Sequence, residues 1–270
     1  MPDSISPSIS QRIDFAQGLA CEAGALALEY FAHLDRLTQE TKGPQDTVSE
    51  ADRAVEAFIR NALAERFAGD GFLGEESGSS AITGGGPIWV VDPIDGTQCF
   101  LSGIASWCVS IGLVYEGRIV GGVIRDPCHE ETFTAAAGAP ARCNGRPMRP
   151  SKATDWTDGF VEVGWSPRVP PKPTVQFIAS LLERGGIYRR CGAGALGLAY
   201  VADGRYLGYF EGHMNIWDSC AGAALVQAAG GWVNDVLAND GLHQGSLVLA
   251  GGPGLAGPLR ALARETGHDV

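Results

Sequence analysis

A layered α/β or α+β protein is what this 270-residue chain predicts, and three features predict it. Apolar residues recur at helical spacing over residues 8–33 and again after Ser49, whereas Ile88-Trp89-Val90-Val91 is an unbroken apolar run of strand length. Strands and helices then mix in both halves without a regular βαβ repeat. Hydrophobic residues make up 45% of the chain, ample material for a core.

The elements follow in order. Ile9, Ile13, Ala16, Leu19, Ala20, Ala23 and Ala27 form one helical stripe, with Ser8 or Ser10 as cap. Thr38–Gln45 is polar and contains Gly43-Pro44, hence a loop or short hairpin. Ser49-Glu50-Ala51-Asp52 fits a capping box, and Val55, Phe58, Ile59, Ala62 and Leu63 supply the apolar face behind it. Phe72-Leu73 is short and extended, and the glycines at 84–86 break the chain before a strand over 88–92. Residues 106–115 and 118–125 read as a hairpin around Glu116-Gly117, and 131–137 as a further strand. From residue 151 the pattern is strand (160–165), helix (174–183), strand (187–190), small-residue helix (192–202), strand (206–211), helix (216–229), strands (231–235, 246–250) and helix (255–265). The chain divides into halves at 1–150 and 151–270, read as one compact unit with its site between them.

Charge and cysteines narrow the functional classes. With 31 acidic against 20 basic residues the formal net charge is −11, which disfavours nucleic acid or an anionic membrane as a non-specific partner. The seven cysteines show no CxxC spacing and several lie in apolar runs, so reduced thiols in a cytoplasmic protein are expected rather than a disulfide framework or zinc site. Neither a signal peptide nor an apolar run of the ~20 residues a membrane helix needs is visible.

Four acidic sites stand where elements begin or end: Asp52, Glu75-Glu76, the pair Asp92 and Asp95, and Asp218. Singly, each has an ordinary account. Asp52 is a helix carboxylate, Glu75-Glu76 a charged turn, Asp92-Pro93-Ile94-Asp95-Gly96-Thr97 a Pro/Gly turn, and Asp218 an N-cap worth ~1 kcal/mol. As a set they are a different matter. Several carboxylates without a His or Cys cluster suit a hard cation such as Mg²⁺. Asp92 and Asp95 flank a rigid proline, the Ile94 carbonyl can face the same point, and the Gly96 and Thr97 N–H groups offer an anion site. A cation between acids and amides makes a cradle for phosphate, and it offsets the cost of placing carboxylates at the end of an apolar strand.

Three motifs resemble the inositol monophosphatase family of metal-dependent, lithium-sensitive phosphatases: Gly74-Glu75-Glu76-Ser77, Asp92-Pro93-Ile94-Asp95-Gly96-Thr97, and Trp217-Asp218-x-x-Ala221-Gly222. The segment Asp46–Asp52 is similar to an upstream motif of the same family. The resemblance implies an αβαβα sandwich of the inositol monophosphatase/fructose-1,6-bisphosphatase type, usually a homodimer. It implies two or three Mg²⁺ ions held by Glu75, Asp92, the Ile94 carbonyl, Asp95 and Asp218, with Asp52 anchoring a metal-bound water. Glu75 and Thr97, with Asp52 nearby, would orient and deprotonate the attacking water, and the Gly96 and Thr97 amides would hold phosphate. The alcohol would meet Asp95, Ala193, Gly194 and Glu211, with Lys42 facing the site or lying on the surface. His213 and Asn215 line the alcohol side or merely pack before Trp217.

Gln98-Cys99-Phe100 departs from the family's more usual Thr-Asn-Phe. The expected activity is a Mg²⁺-dependent phosphomonoesterase for a small polyol phosphate, inositol monophosphate first and histidinol phosphate second. The rival from another class is a metal-binding module without turnover that serves a partner complex.

Overall fold

The computed structural model describes residues 8–43, 46–80 and 85–268. Helix α1 (Ile9–Phe31) starts at Ser8, not Ser10: Ser8 Oγ accepts the Gln11 N–H at 3.2 Å and Gln11 Oε1 accepts the Ser8 N–H at 2.8 Å. Strands β1 (Gln39–Gly43) and β2 (Asp46–Ser49) pair antiparallel, so the polar stretch is a hairpin; Pro44 and Gln45 lie outside the described residues, as does Gly84 in the glycine break. Helix α2 (Glu50–Arg66) begins at the expected capping box, with the Ser49 N–H donating to Asp52 Oδ2 at 2.8 Å.

The first sheet follows: β3 (Gly71–Gly74), β4 (Gly78–Ser80), β5 (Ile88–Asp95), then the short helix α3 (Thr97–Leu101), β6 (Cys108–Tyr115), β7 (Arg118–Asp126), β8 (Glu131–Ala136), β9 (Arg142–Cys143) and β10 (Arg146–Pro147). Its order is β10-β9-β8-β7-β6-β5-β3-β4, antiparallel except for the parallel pair β3–β5. Glu116 and Gly117 both take positive φ (50° and 69°), as the tight β6–β7 turn requires. The second half supplies β11 (Phe160–Val163), α4 (Pro171–Glu183), β12 (Ile187–Arg189), α5 (Gly194–Ala202), β13 (Gly208–Met214), α6 (Ile216–Ala229), β14 (Trp232–Val233), α7 (Gly241–Gln244), β15 (Ser246–Gly251) and α8 (Ala256–Glu265). The second sheet runs β12-β11-β13-β15-β14, with β12, β11 and β13 parallel.

Packing stacks these as α, β, α, β, α. Helices α1 and α2 cover one face of the first sheet, α5 and α6 lie between the sheets, and α4 with α8 covers the outer face of the second. Three buried clusters fill the interfaces, the middle one drawing on residues from 73 to 250. The small residues of α6 now have a reason. A Cβ added at Gly122 of β7 would lie 2.6 Å from Ala221 Cα, so sheet and helix touch backbone to backbone. In the outer layer Phe177 and Phe210 stack with centroids 3.9 Å apart.

One departure from the expected elements matters. The strand does not stop at Asp92 but runs to Asp95 through an irregular register, Asp92 opposite Ser110 and Asp95 opposite Cys108. Asp92 and Asp95 are three apart, so regular alternation would send them to opposite faces. The extra residue of this bulge lets both carboxylates turn to one side. Because β3 and β5 are parallel, Glu75 leaves its strand beside them, and α2, α5 and α6 all start nearby.

Candidate active site

Asp92, Asp95 and Asp218 each place a carboxylate oxygen within 4.8 Å of the others'. Asp92 comes from the β5 bulge, and its Oδ1 accepts the Ile94 N–H at 3.0 Å. Asp95 is gripped from the second half of the chain: the N–H groups of Gly194 and Ala195, at the start of α5, donate to Oδ1 and Oδ2 at 3.1 and 2.7 Å. Asp218 stands in the first turn of α6. It is not the N-cap, which is Asn215; its Oδ2 accepts the Asn215 backbone N–H at 3.1 Å. That contact leaves the other carboxylate oxygen for the site, so capping and ligation do not compete.

Glu75 faces the same cluster. Burial raises it well above the usual carboxylate range, and the charges of Asp218, Glu76 and Asp52 add to the effect. Burial likewise raises Asp92 well above that range, helped by Glu75, Asp95 and Asp218, and pushes Asp95 up to about 6 and Asp218 up to about 7. Among the described residues no salt bridge joins any of these four acids to a basic side chain. Buried or half-buried, oxygen-only and without a salt-bridge partner among the described residues, the set fits a hard divalent cation.

Asp52 is fully buried, and burial raises its pKa. Its Oδ2 receives the Ser49 N–H and Oγ–H, while its Oδ1 lies 3.2 Å from Thr97 Oγ1. Thr97 Oγ1 is also 3.1 Å from the Ile94 carbonyl oxygen. Gly96 precedes α3 at φ 93°, and a Cβ there would sit 2.9 Å from the Ser106 carbonyl oxygen and 3.0 Å from Ala193 Cβ. Only glycine fits this junction.

The cleft in front of these residues encloses about 900 Å³. Ala193, Gly194 and Glu211 line it. Glu211 Oε2 accepts the Tyr209 hydroxyl at 2.6 Å, and burial pushes this acid up to about 7. His213 lines the cleft, whereas Asn215 both lines it and caps α6. The Lys42 side chain lies outside the described residues. Cys99 is half-buried against Gly192, and its thiol is 3.5 Å from the Cys191 carbonyl oxygen. The unusual cysteine thus fills space beside a glycine.

Three groups were not foreseen. Glu56 accepts the N–H groups of Glu76 and Ser77 at 2.8 and 2.9 Å, and so holds the turn that carries Glu75. Its spacing of one turn after Asp52 on α2 was the available signal. Tyr209 stands two residues before Glu211 on one strand face. Arg168, Arg189 and Arg190 line the same cleft, and nothing local in the sequence marks them.

Fold and site together define a phosphoric monoester hydrolase. The chain belongs to the inositol monophosphatase family, whose model matches residues 8–267. Among its relatives, an inositol-1-monophosphatase of Rhizobium meliloti is 35% identical over 90% of this chain and 92% of its own length. The Nus factor SuhB of Escherichia coli is 32% identical over 96% and 97%. The solved structure of the extragenic suppressor protein suhB from Bartonella henselae superposes with a TM-score of 0.87 at 33% identity, covering 96% of this chain and 99% of that one.

Proposed function

We propose that this chain is a Mg²⁺-dependent phosphomonoesterase acting on a small polyol phosphate, inositol monophosphate ahead of histidinol phosphate. The observation that carries the reading is the convergence of Asp92, Asp95 and Asp218 within 4.8 Å, with no salt bridge to any of them among the described residues. Residues 1–150 and 151–270 act as two halves, with the reaction centre at their junction. Glu75, Asp92, the Ile94 carbonyl, Asp95 and Asp218 would hold two or three Mg²⁺ ions, which lower the pKa of water and neutralise charge on the transferring phosphoryl group.

The protein's own groups do the rest. The Gly96 and Thr97 N–H groups hold phosphate oxygens at the start of α3. Thr97 Oγ1, fixed by Asp52, orients the attacking water, and Glu75 takes its proton. As water oxygen bonds to phosphorus, the bond to the alcohol oxygen breaks; the departing oxygen takes a proton from a water in the cleft, and the proton held on Glu75 restores that water, so no phospho-enzyme forms. Asp95, Ala193, Gly194 and Glu211 face the alcohol.

A homodimer is part of this reading. Exposed Phe160 and Ile187 are direct partners across β11–β12, and Tyr188 is exposed beside them on the edge strand. Light scattering should give twice the monomer mass. A cytoplasmic setting agrees with seven free cysteines and with described helices too short or too polar to cross a membrane.

Phosphate release from inositol 1-phosphate and histidinol phosphate, with and without Mg²⁺, tests the proposal. Turnover should require the metal, favour the inositol ester and fall with millimolar Li⁺. Release from no phosphate ester in Mg²⁺ would sink it, and would favour a binding module serving a partner complex.

A further inference from the structure

Strand β11 lies between β12 and β13, parallel to both, and its Val161 and Val163 are buried, as a sheet covered on both faces requires. Glu162 between them breaks the apolar pattern. It is 2% exposed and turns towards α5, where a Cβ at Gly197 would lie 3.1 Å from its Cγ. Oε1 accepts the Cys191 N–H at 2.6 Å, whereas Oε2 is buried without a hydrogen-bond partner among the described residues. Burial raises the pKa of this acid, against the opposing effects of the Cys191 N–H and the charges of Arg189 and Arg190. A carboxylate kept inside a protein with one oxygen unpartnered costs stability, so the role of Glu162 must lie in what Oε1 holds.

Oε1 holds the turn that leads to the reaction centre. The chain leaves β12 at Arg189 and enters α5 at Gly194, and residues 190–193 have no strand or helix to take their backbone groups. Cys191 is tied at both ends instead. Its N–H goes to Glu162 of the second half, and its carbonyl oxygen accepts Ser106 Oγ of the first at 2.7 Å. Gly192 then turns at φ 87°. Just beyond it, the Gly194 and Ala195 N–H groups reach Asp95 at 3.1 and 2.7 Å. The link is short, so a shift of Cys191 would carry through to the carboxylate those amides grip.

Building on the phosphomonoesterase reading, we propose that Glu162 is a positioning residue: by holding Cys191 it aims the Gly194 and Ala195 N–H groups at Asp95, and so fixes the orientation in which Asp95 meets the metal. It acts through Cys191 and not on the ester. What the role requires of Glu162 is an acceptor at the right reach, not a charge.

Two substitutions separate reach from charge. Glu162→Gln keeps an acceptor at the length needed, whereas Glu162→Asp keeps the charge but falls one methylene short of the Cys191 N–H. In Glu162→Asp, kcat should fall about 10–100-fold and the half-saturating Mg²⁺ concentration should rise about tenfold, with KM for the ester within about threefold of the parent. Glu162→Gln should stay within about threefold of the parent in all three. Amide hydrogen exchange in the metal-free protein reads the same device without turnover. At Gly194 and Ala195 it should speed up about tenfold or more in Glu162→Asp, stay near the parent rate in Glu162→Gln, and remain unchanged along β13 in both. Glu162→Gln as impaired as Glu162→Asp, kcat and Mg²⁺ dependence unmoved in Glu162→Asp, or exchange that rises equally along β13 overturns the proposal. If the parent releases phosphate from no ester, yet exchange and calorimetric Mg²⁺ binding follow the two substitutions as stated, the phosphomonoesterase reading falls and the positioning role stands.

Discussion

The two walls of the cleft are built on opposite plans. On one, Asp92 and Asp95 are buried and Asp218 half-buried, each held by backbone N–H groups from Ile94, from Gly194 and Ala195, or from Asn215. On the other, Arg168, Arg189 and Arg190 are exposed on a loop and an edge strand, and the Arg190 guanidinium donates to the Trp165 carbonyl oxygen at 3.3 Å. The first wall is preorganised by secondary structure from both halves, and its charges are costly without a cation. The second is solvent-exposed, where substitutions cost little stability. A fold built this way keeps its bond-breaking chemistry constant while the choice of alcohol changes on the opposite side.

The largest effect should come from the acid wall. Asp95→Asn keeps one acceptor oxygen for the α5 amides but removes a ligand charge. Turnover should drop on the order of 10³-fold or more, comparable to or beyond losing a transition-state donor. The fold should survive, and metal-free melting at neutral pH should be no lower than in the parent, because a crowded buried charge is gone. Activity within tenfold of the parent would erase the contrast between the walls.

Glu56→Gln acts one step removed. Glutamine can accept only one of the two N–H bonds from Glu76 and Ser77 and turns its own NH₂ at the other. Glu75 should lose its position, lowering kcat about 10–100-fold at about 1–3 kcal/mol of stability. If kcat holds while the melting temperature falls, the turn is merely structural.

Chelation sharpens the comparison further. Asp95 and Asp218 sit at about 6 and about 7 in the folded protein against an ordinary 3.8. A carboxyl whose folded pKa is raised contributes stability that is fully present below pH 3.8 and lost as pH rises through the folded value. The melting temperature in EDTA should therefore fall from pH 5 to pH 8. Saturating Mg²⁺ replaces those protons, so its stabilisation should grow over the same range. Equal Mg²⁺ shifts at pH 5 and pH 8 would argue that the ion binds elsewhere.

What could be read in advance divides along the same line. The Ser49/Asp52 box, the helix over 216–229 and the motif acids were legible because each is a local pattern: a cap, a 3.6-residue period, a proline–glycine stop. The β5 bulge was not, since only pairing with β6 reveals the extra residue that turns Asp92 and Asp95 to one side. Glu56 was hidden in an ordinary amphipathic helix, and its role needs the 74–77 turn folded over it. The arginines become a group only through the parallel pairing of β11 and β12.

The smallest effect should fall at Cys99, where the sequence departs from the family's usual asparagine and a specificity change is easy to imagine. The side chain is half-buried between Gly192 and the Cys191 carbonyl, and burial raises the thiol, so it stays protonated and unreactive. Cys99→Ser keeps the size and a donor for that carbonyl. kcat/KM should stay within about threefold and stability within about 0.5 kcal/mol, as for substitutions that touch no special feature. A change of tenfold or more with one ester but not another would place a selectivity determinant at the base of α3, and the two walls would no longer divide chemistry from choice.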